Sequence, residues 1–589
     1  MTVLPQARGG RNSRRSPRRS VPQQVIEPRR ILAIWLLLVI GAALLGWRLF
    51  TVQVLEGPML RQKATEQQRV MLSPFLPRRP IIDQQGNLIA LDQEIYTLYV
   101  HPQLFKEPIP SVAQKLAPIL GMDVSTLTQR FQSQKSGIRL RSDLSREAVT
   151  ALRKLYLDGL EFEQRAQRLY PFKDLYANIV GFLNDERKGQ AGLEFSQQNL
   201  LQRPVLKASV ERSGDGSLLP DGVPAGFLHQ DDMRLQLTLD GRLQRTTQTA
   251  LRQQLKRYSA KRGAALVMDV RDGSMLALVS EPTYDANRYF EADPKLFNDW
   301  AVHDLYEPGS TFKPINIAIA LEEKVLDIND VIYDEGRIQV GGWPINNHDF
   351  STAGGRGPLN LAQVMQYSSN VAMVHIVERM RPQRYFEWLQ KLQIDKPVGT
   401  DLPFATGGQI KSRDEFVNYV IEPATAAFGQ GFSLTPLKLL QLHAAIANGG
   451  KLVTPHVIAG LVDSQGQLYW QPPRPEAPQL FSADTSKQVM GLMESVVAAG
   501  SGKPAQVKGY RLGGKTGTAQ KAENGVYVAG ARITSFVGVL PADNPRYAML
   551  VVVDEPKGDD AYGSTVAAPV VKQMAEALVA IEGLAPNQN

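Results

Sequence analysis

The sequence predicts a mixed α/β fold of the α+β type, carried behind one membrane-spanning helix. Three observations lead there. The run ILAIWLLLVIGAALLGW, Ile31 to Trp47, holds 17 residues without a charge. Two segments, GAALVMDV-RDG-SMLALVS from Gly263 and ITSFVGVLPADNPRYAMLVVVDEP from Ile533, set short apolar runs around turn residues and read as strand pairs. Between them the periodicity is mainly helical, so the sheet has to be assembled from segments distant in sequence.

At 589 residues the chain exceeds one compact domain, and 43% hydrophobic with 21% charged residues is ordinary globular composition. The formal net charge is +8, but residues 1–30 hold eight arginines against the single acid Glu27. The charge is therefore local, and nucleic acid is not expected as a partner. This basic, Pro- and Ser-rich tail lacks apolar periodicity and is expected to be disordered. The anchor follows over residues 31–52; it is short for a span, but Arg48 can snorkel and LFTVQVL continues the apolar character. Arginines before the span and few after it place the tail in the cytoplasm and everything downstream outside. A cleaved signal peptide is the alternative, opposed by the 30-residue basic leader, the length of the run and the lack of an A-x-A site. Zero cysteines excludes disulfides and thiolate chemistry.

A first domain is expected over residues 53–235. LRQKATEQQRV reads as a helical stalk, and LPRRPIIDQQGNLIALDQEIYTLYVHP as strands around a QQGN turn. Residues 105–165 favour helices, as in VAQKLAPILG and SREAVTALRKLYL, and another helix begins near GQAGLEFSQQNLL. The turn-rich ERSGDGSLLPDGVPAG precedes a boundary near residue 235. The second domain, 236–585, opens on the amphipathic helix GRLQRTTQTALRQQLKRYS and closes on STVAAPVVKQMAEALVAIEG. There is no internal repeat.

The chemistry starts at EPGSTFKP, residues 307–314, where a polar loop gives way to the apolar run INIAIALEEKVL. On a helix, Ser310 and Lys313 lie about 60° apart on one face. Pro308 and Gly309 suit a sharp bend that sets Ser310 at the positive end of the helix dipole, where an alkoxide is favoured. Lys313 can serve as base if its pKa falls to about 7–8, roughly three units, or about 4 kcal/mol of desolvation and like-charge repulsion. Alone the pattern is weak, since roughly two S-x-x-K pairs arise by chance in a chain this long. YSSNVAMVHIVERM places Ser368, Ser369 and Asn370 at the start of an apolar helix, where they would otherwise be plain caps. LGGKTGTAQ places Lys515, Thr516, Gly517 and Thr518 in a Gly-flanked strand, where the bland reading is an edge kept soluble by a lysine.

All three, in this order and at intervals of 58 and 147 residues, resemble the S-x-x-K, S-x-N, K-T-G signature of the penicillin-recognising serine enzymes. The chain resembles a class B, high-molecular-weight penicillin-binding protein over roughly residues 48–580. GSMLALVSEPTYDAN, AFGQGFSLTPLKLLQLHAAIANGG, MESVVAAGSGKPA and YGSTVAAPVVKQM look like its transpeptidase domain; RLYPFKDLYANIVGF and GQAGLE look like its N-terminal pedestal. EPGSTFKP and SSNVA look like the division-specific FtsI-type branch; elongation-type relatives tend to carry Pro before Pro-Gly-Ser and an Asp-containing second motif. No C-terminal repeat module is expected. Two departures fall in the pedestal: the family's Arg-Gly-x-Ile stands here as Arg79-Pro80-Ile81-Ile82, and its glycine two residues after Tyr-Pro is Lys173.

The resemblance implies a central antiparallel sheet flanked by helices, preceded by an elongated pedestal and a single transmembrane helix. It implies peptidoglycan D,D-transpeptidation without metal or organic cofactor. Ser310 would attack a D-Ala-D-Ala stem peptide with Lys313 as base, and Ser368 would relay a proton to the leaving amine. Asn370 would hold Lys313 and the substrate amide, and the N–H groups of Ser310 and Thr518 would form the oxyanion hole. Lys515 would supply positive charge, Thr516 and Thr518 would bind the terminal carboxylate, and the strand around Gly517 would pair with the donor. β-Lactams are the implied inhibitors, an FtsW-like membrane glycosyltransferase and other division proteins the implied partners, and the bacterial plasma membrane the location. Three rivals stand beside this: a D,D-carboxypeptidase or β-lactamase-type hydrolase, an elongation-specific transpeptidase, and a scaffold or sensor with an idle site. A bifunctional class A enzyme is disfavoured because residues 56–235 lack an acidic glycosyltransferase signature. GSGKP lacks the first Gly and the Ser/Thr of a phosphate loop, and no H-E-x-x-H spacing is present. His303 and His348 lack an obvious acid partner and are read as structural.

Overall fold

The strand YAMLVVVD, Tyr547–Asp554, is buried at every position, so both of its faces must be covered. Alternate residues divide between two cores: Ala548, Leu550 and Val552 enter one, Met549, Val551 and Val553 the other. The computed structural model describes residues 28–72, 76–204, 208–211, 231–523 and 526–587. In it this strand is the middle of a five-stranded antiparallel sheet, ordered Gly513–Glu523, Val526–Leu540, Tyr547–Asp554, Arg262–Asp269 and Met275–Glu281. Both strand pairs predicted from the sequence are therefore present, joined edge to edge. Helices Gly241–Arg257 and Ala568–Glu582 cover one face. Helices Lys313–Glu322, Pro436–Ala447 and Ala483–Ala499 cover the other. The first of these helices starts where it does because Asp240 accepts the N–H groups of Arg242 and Leu243. The middle of the chain is mainly helical, as expected, but also holds two small antiparallel strand pairs. These pair Val331–Asp334 with Gly357–Asn360 and Arg337–Val340 with Trp343–Asn346, strands too short to register as alternation.

The chain divides into two compact units, Met1–Phe75 with Val205–His229 and Leu76–Pro204 with Gln230–Asn589. In the first, the helix Pro28–Phe50 begins ahead of the expected Ile31 and runs on as a π turn, Thr51–Leu55. Its 28 residues are entirely unburied, with Leu32 73% and Leu45 74% exposed, so its leucines face outward on all sides and require an apolar surround. The stalk helix spans Gly57–Gln68 and leads to the strand Arg69–Leu72, paired antiparallel with Ala208–Glu211. Residues 1–27 of the basic tail and nearly all of ERSGDGSLLPDGVPAG lie outside the described residues. The closing segment Gly563–Glu582 is also apolar enough to span, yet lies 44% buried against the sheet and is a core helix.

Within the second unit a seven-stranded sheet carries strands from both sides of residue 235. Arg234–Leu237 pairs parallel with Ile81–Ile82 and antiparallel with Ile458–Val462. Leu88–Val100 pairs with Ile138–Leu144 and with Leu160–Leu169. These last two strands qualify the expectation that residues 105–165 favour helices. The helices Ile109–Leu120, Val124–Ser133 and Arg146–Arg153 are there, but IRLRSDL and LEFEQRAQRL are strands whose outer faces are filled with charged residues. The GQAGLEFSQQNLL segment forms two short helices, Gly192–Ser196 and Gln198–Leu201.

A buried ionic cluster ties these pedestal segments together. Glu194 accepts from Arg168 Nε at 2.7 Å and pairs with Arg78 Nη2 at 2.8 Å, while Asp92 takes Arg168 Nη1 at 3.2 Å and also Arg187. Of the two departures, Arg79 pairs with Asp231, and Lys173 sits at φ +54°. That left-handed backbone is where a glycine would be unstrained. Replacing one partner of a buried ion cluster strands the others, so Glu194→Ala is expected to destabilise the protein by roughly 3–5 kcal/mol, read as a lowered urea midpoint.

Candidate active site

Ser310, the candidate nucleophile, is positioned by a turn rather than by a helix proper. Gly309–Phe312 is a 3-10 turn and Lys313–Glu322 the α-helix that continues it. Gly309 takes φ +58° and lies against Ala519, where a Cβ would come within 3.0 Å of the alanine methyl, so the bend accepts only glycine comfortably. Thr311 Oγ1 donates to Pro308 O at 2.7 Å, and His443 Nε2 donates to Thr311 O at 2.8 Å. His443 is wholly buried with Nδ1 unpartnered, and burial pulls its pKa down to about 4, which keeps it neutral. Behind the turn, Asn316 Nδ2 donates to Ala426 O and Ala427 O, and Tyr385 donates to Asn316 Oδ1. The helix is thereby held on both sides.

Lys313 is fully buried and has no carboxylate in contact among the described residues. Its Nζ reaches Ser368 O at 2.6 Å, Asn370 Oδ1 at 2.7 Å and Ser368 Oγ at 3.2 Å. Burial first, and then the charge of Lys515, hold the Lys313 ammonium well below the ordinary lysine range, with Asp334 and Asp349 opposing. A neutral amine has two N–H groups, which the two carbonyl oxygens satisfy, leaving its lone pair free to accept. Lys515 is equally buried, and burial lowers it to about 7. Its Nζ donates to Ser368 Oγ at 2.9 Å and to Thr516 O at 3.0 Å. Two lysines thus converge on one serine hydroxyl.

Ser368 closes the helix Leu361–Tyr367 in a left-handed conformation, φ +58°, unusual for a residue with a Cβ and a sign of local strain. Ser369 caps the next helix, Asn370–Glu378, by accepting from Ala372 N. Asn347 pins this junction: its Oδ1 accepts from Asn370 N, Val371 N and Ser369 Oγ, while its Nδ2 donates to both Asp334 oxygens. Asn370 Nδ2 donates to Asn346 O.

Gly513–Glu523 is the edge strand of the sheet and forms the facing wall. A Cβ on Gly517 would lie 2.4 Å from Ser535 Oγ and 3.0 Å from Thr311 Cγ2, so only glycine lets the strand close on the nucleophile turn. Thr516 Oγ1 shares a hydrogen bond with Ser501 at 2.9 Å, and Thr518 Oγ1 accepts from Gly563 N at 3.2 Å. Between the walls lies a cleft of about 510 Å³, lined by Ser310, Ser368, Asn370, Thr516 and Thr518 together with His348, Phe428, Ser501 and Tyr562. Ser310 Oγ opens onto it and makes no hydrogen bond among the described residues.

All eight residues singled out from the sequence meet here: Lys313 and Lys515 beneath the floor, Gly517 in the wall strand against the Ser310 turn, and the other five lining the cleft. Of the two histidines read as structural, His303 bonds Phe404 O and Thr406, whereas His348 lines the cleft, and that reading of His348 is corrected. Burial, then the positive charges of Lys313, Lys515 and Arg356, lower the His348 pKa against the pull of Asp349. Asn347 carried no signal that could have marked it, whereas His443, Ser501 and Tyr562 lie in segments that resemble the transpeptidase domain but were not singled out as site residues. Among the described residues no cluster of metal-ligating side chains occurs.

Comparison with known proteins places this geometry. A family model described as the penicillin binding protein transpeptidase domain matches residues 263–576, and one described as the penicillin-binding protein dimerisation domain matches 76–203. The peptidoglycan D,D-transpeptidase FtsI homolog of Mesostigma viride is 39% identical, covering 95% of this chain and 96% of that protein. That of Chlorokybus atmophyticus is 36% identical over 95% and 97%. Stage V sporulation protein D of Bacillus subtilis (strain 168) is 32% identical over 95% and 87%. In fold, the chain is similar to a peptidoglycan synthetase from Bifidobacterium adolescentis, with a TM-score of 0.68 at 24% identity over 88% of this chain and 98% of the other.

Two outcomes follow from the electrostatics and the turn. With Lys313 as the candidate base, acylation would need its neutral form, present above its pKa and lost as pH falls through it. Lys515→Met removes a repelling charge, so the Lys313 pKa rises and the acid limb of the β-lactam acylation profile should move up by about one pH unit. His443→Leu deletes the donor to Thr311 O and should slow acylation roughly 10-fold, the rate recovering in part in His443→Gln, as stopped-flow labelling would read.

Proposed function

The chain belongs to the penicillin-binding protein transpeptidases, in their class B, FtsI-type branch, and from that membership we propose how its residues carry out the reaction. The protein is a serine-type peptidoglycan D,D-transpeptidase of cell-wall synthesis. The observation that carries the site assignment is Lys313: a buried amine with its two N–H groups spent on carbonyl oxygens, one turn from Ser310.

Its lone pair takes the proton of Ser310 as the oxygen attacks the carbonyl of the penultimate D-alanine of a stem peptide. The negative oxygen that forms is held by the N–H groups of Ser310 and Thr518. Collapse breaks the amide; the proton passes through Ser368, which bridges both lysines, to the departing D-alanine amine. Lys515, Thr516, Thr518 and Ser501 receive the terminal carboxylate. The amine of a second stem peptide then attacks the ester, returns the proton by the same route and leaves a new amide crosslink with Ser310 free. β-Lactams acylate the same oxygen.

The outer assignments rest on the sequence. The basic tail lies in the cytoplasm and both domains outside a bacterial plasma membrane, with residues 53–235 as pedestal and 236–585 as the catalytic domain. The work is septal, in keeping with relatives named FtsI homolog, alongside an FtsW-like glycosyltransferase that supplies the glycan.

With a pentapeptide donor and an amine acceptor, the full chain should release D-alanine and form the crosslinked dimer. Ser310→Ala should lower that rate by roughly 10³-fold or more, and intact mass after penicillin should place a single adduct on the peptide bearing Ser310. Release of D-alanine with no dimer would make the protein a hydrolase instead.

A further inference from the structure

Beyond the residues that do chemistry, one cation at the rim stands without a counterion. Arg532 lies in Val526–Leu540 opposite Gln520, one same-face position beyond the pair Thr518–Thr534. Its guanidinium sits 5.5 Å over the ring of Tyr562, a residue that lines the cleft with Ser310. Only its backbone is engaged, through Arg532 O accepting from Glu555 N; among the described residues its side chain has neither hydrogen bond nor ion pair. The acids closest along the neighbouring strand are already committed. Asp554 pairs with Arg262 and Lys521, and Glu555 with Lys521, Lys261 and Lys557. Other arginines of this unit also stack on a ring without an ion pair among the described residues, Arg245 on Phe172 and Arg257 on Tyr258, but Arg532 is the one whose ring lines the cleft of Ser310.

The position of this cation relative to the donor follows from the reading above, on which the inference rests. The terminal carboxylate goes to Ser501, Thr516 and Thr518, and the scissile carbonyl lies between Ser310 and Thr518. A donor laid along the open edge of Gly513–Glu523 must therefore send its upstream residues past Ala519 toward Gln520. At about 3.3 Å per extended residue, the two residues before the acylated alanine come abreast of Gln520 and Arg532. Stacking on Tyr562 holds the guanidinium plane in place while leaving its N–H fork free, the geometry that suits a carboxylate.

We propose that Arg532, stacked on Tyr562, is a subsite for a free carboxylate on the donor stem peptide upstream of its D-alanines. The carboxylate is carried either by the acidic residue two places before the acylated alanine or by the side chain of the residue directly before it.

The test uses the full chain in detergent micelles and depsipeptide donors ending in D-Ala-D-lactate, with D-lactate release in the presence of D-alanine as acceptor. One pair of donors is L-Ala-γ-D-Glu-L-Lys-D-Ala-D-lactate and its glutamyl α-amide. The other carries meso-diaminopimelate in place of lysine, with its side-chain carboxylate free or amidated. In at least one pair the wild type should favour the free carboxylate by about 10-fold in kcat/KM, mostly through KM. That pair identifies which carboxylate is bound. Arg532→Gln should bring the preference below about 2-fold, and Arg532→Lys should keep part of it. Rates of benzylpenicillin acylation in the same variants divide out general damage to the site. No preference in either pair, or one unchanged in Arg532→Gln, overturns the subsite while turnover itself leaves the transpeptidase reading intact. Penicillin acylation of Ser310 with no depsipeptide turnover would overturn both.

Discussion

An amine kept uncharged inside protein is the constraint on which the catalytic domain depends. Enclosing an ammonium without a counterion costs several kcal/mol, so burial shifts Lys313 toward its neutral form instead of leaving it charged. That shift survives only while water and carboxylates stay out. The helix behind Lys313 is accordingly buried from Lys313 through Ala320, and the two acids that oppose the shift are occupied, Asp334 by Asn347 and Asp349 by Arg356. A second buried lysine adds repulsion from the far side, and the hydroxyl of Ser368 is the one group both amines share. Three segments far apart in the chain must meet within a few ångströms for this to exist, which is why the sheet is assembled from both ends of the domain.

The pedestal shows the opposite solution to buried charge. Arg78, Arg168, Glu194 and Asp92 are almost as enclosed as the two lysines, yet every cation there meets an anion. A neutralised cluster holds segments in register and has no reactive form at neutral pH. Like charges converging on a nucleophile store the imbalance that chemistry draws on. The contrast separates a structural ion network from a reactive one without reference to any motif.

Much of this was legible in the sequence, and what was not has physical reasons. The apolar span, the strand pairs and the closing helix announce themselves because burial on one or both faces leaves an unbroken hydrophobic pattern, as in YAMLVVVD. The strands Ile138–Leu144 and Leu160–Leu169 do not, because their solvent faces are crowded with arginine and glutamate and dilute the alternation. At the site, Ser310, Lys313, Ser368, Asn370 and Lys515 to Thr518 are fixed by short local spacings. Asn347 and His443 act from other elements across tertiary contacts, one on a helix junction and one on a carbonyl, and neither leaves a periodic or spaced trace. His348 is a polar residue in a short loop whose only distinction is the cavity it faces.

The edge strand carries the last consequence. An unpaired sheet edge is a template for any extended chain and is normally blunted. In the proposed reaction Gly513–Glu523 stays open beside Ser310, since a donor peptide added to it would gain both register and direction from the backbone. The openness is bounded. Ser501 and Thr516 meet at one end, and at the other the pairing register slips between Gln520 and Ala522, followed by Lys521 locked onto Asp554 and Glu555. A bulge turns the strand away and charges cap it. What remains of the edge is an unpaired backbone a few residues long, from Thr516 to Gln520, enough to hold the end of one stem peptide and too short to recruit a foreign strand.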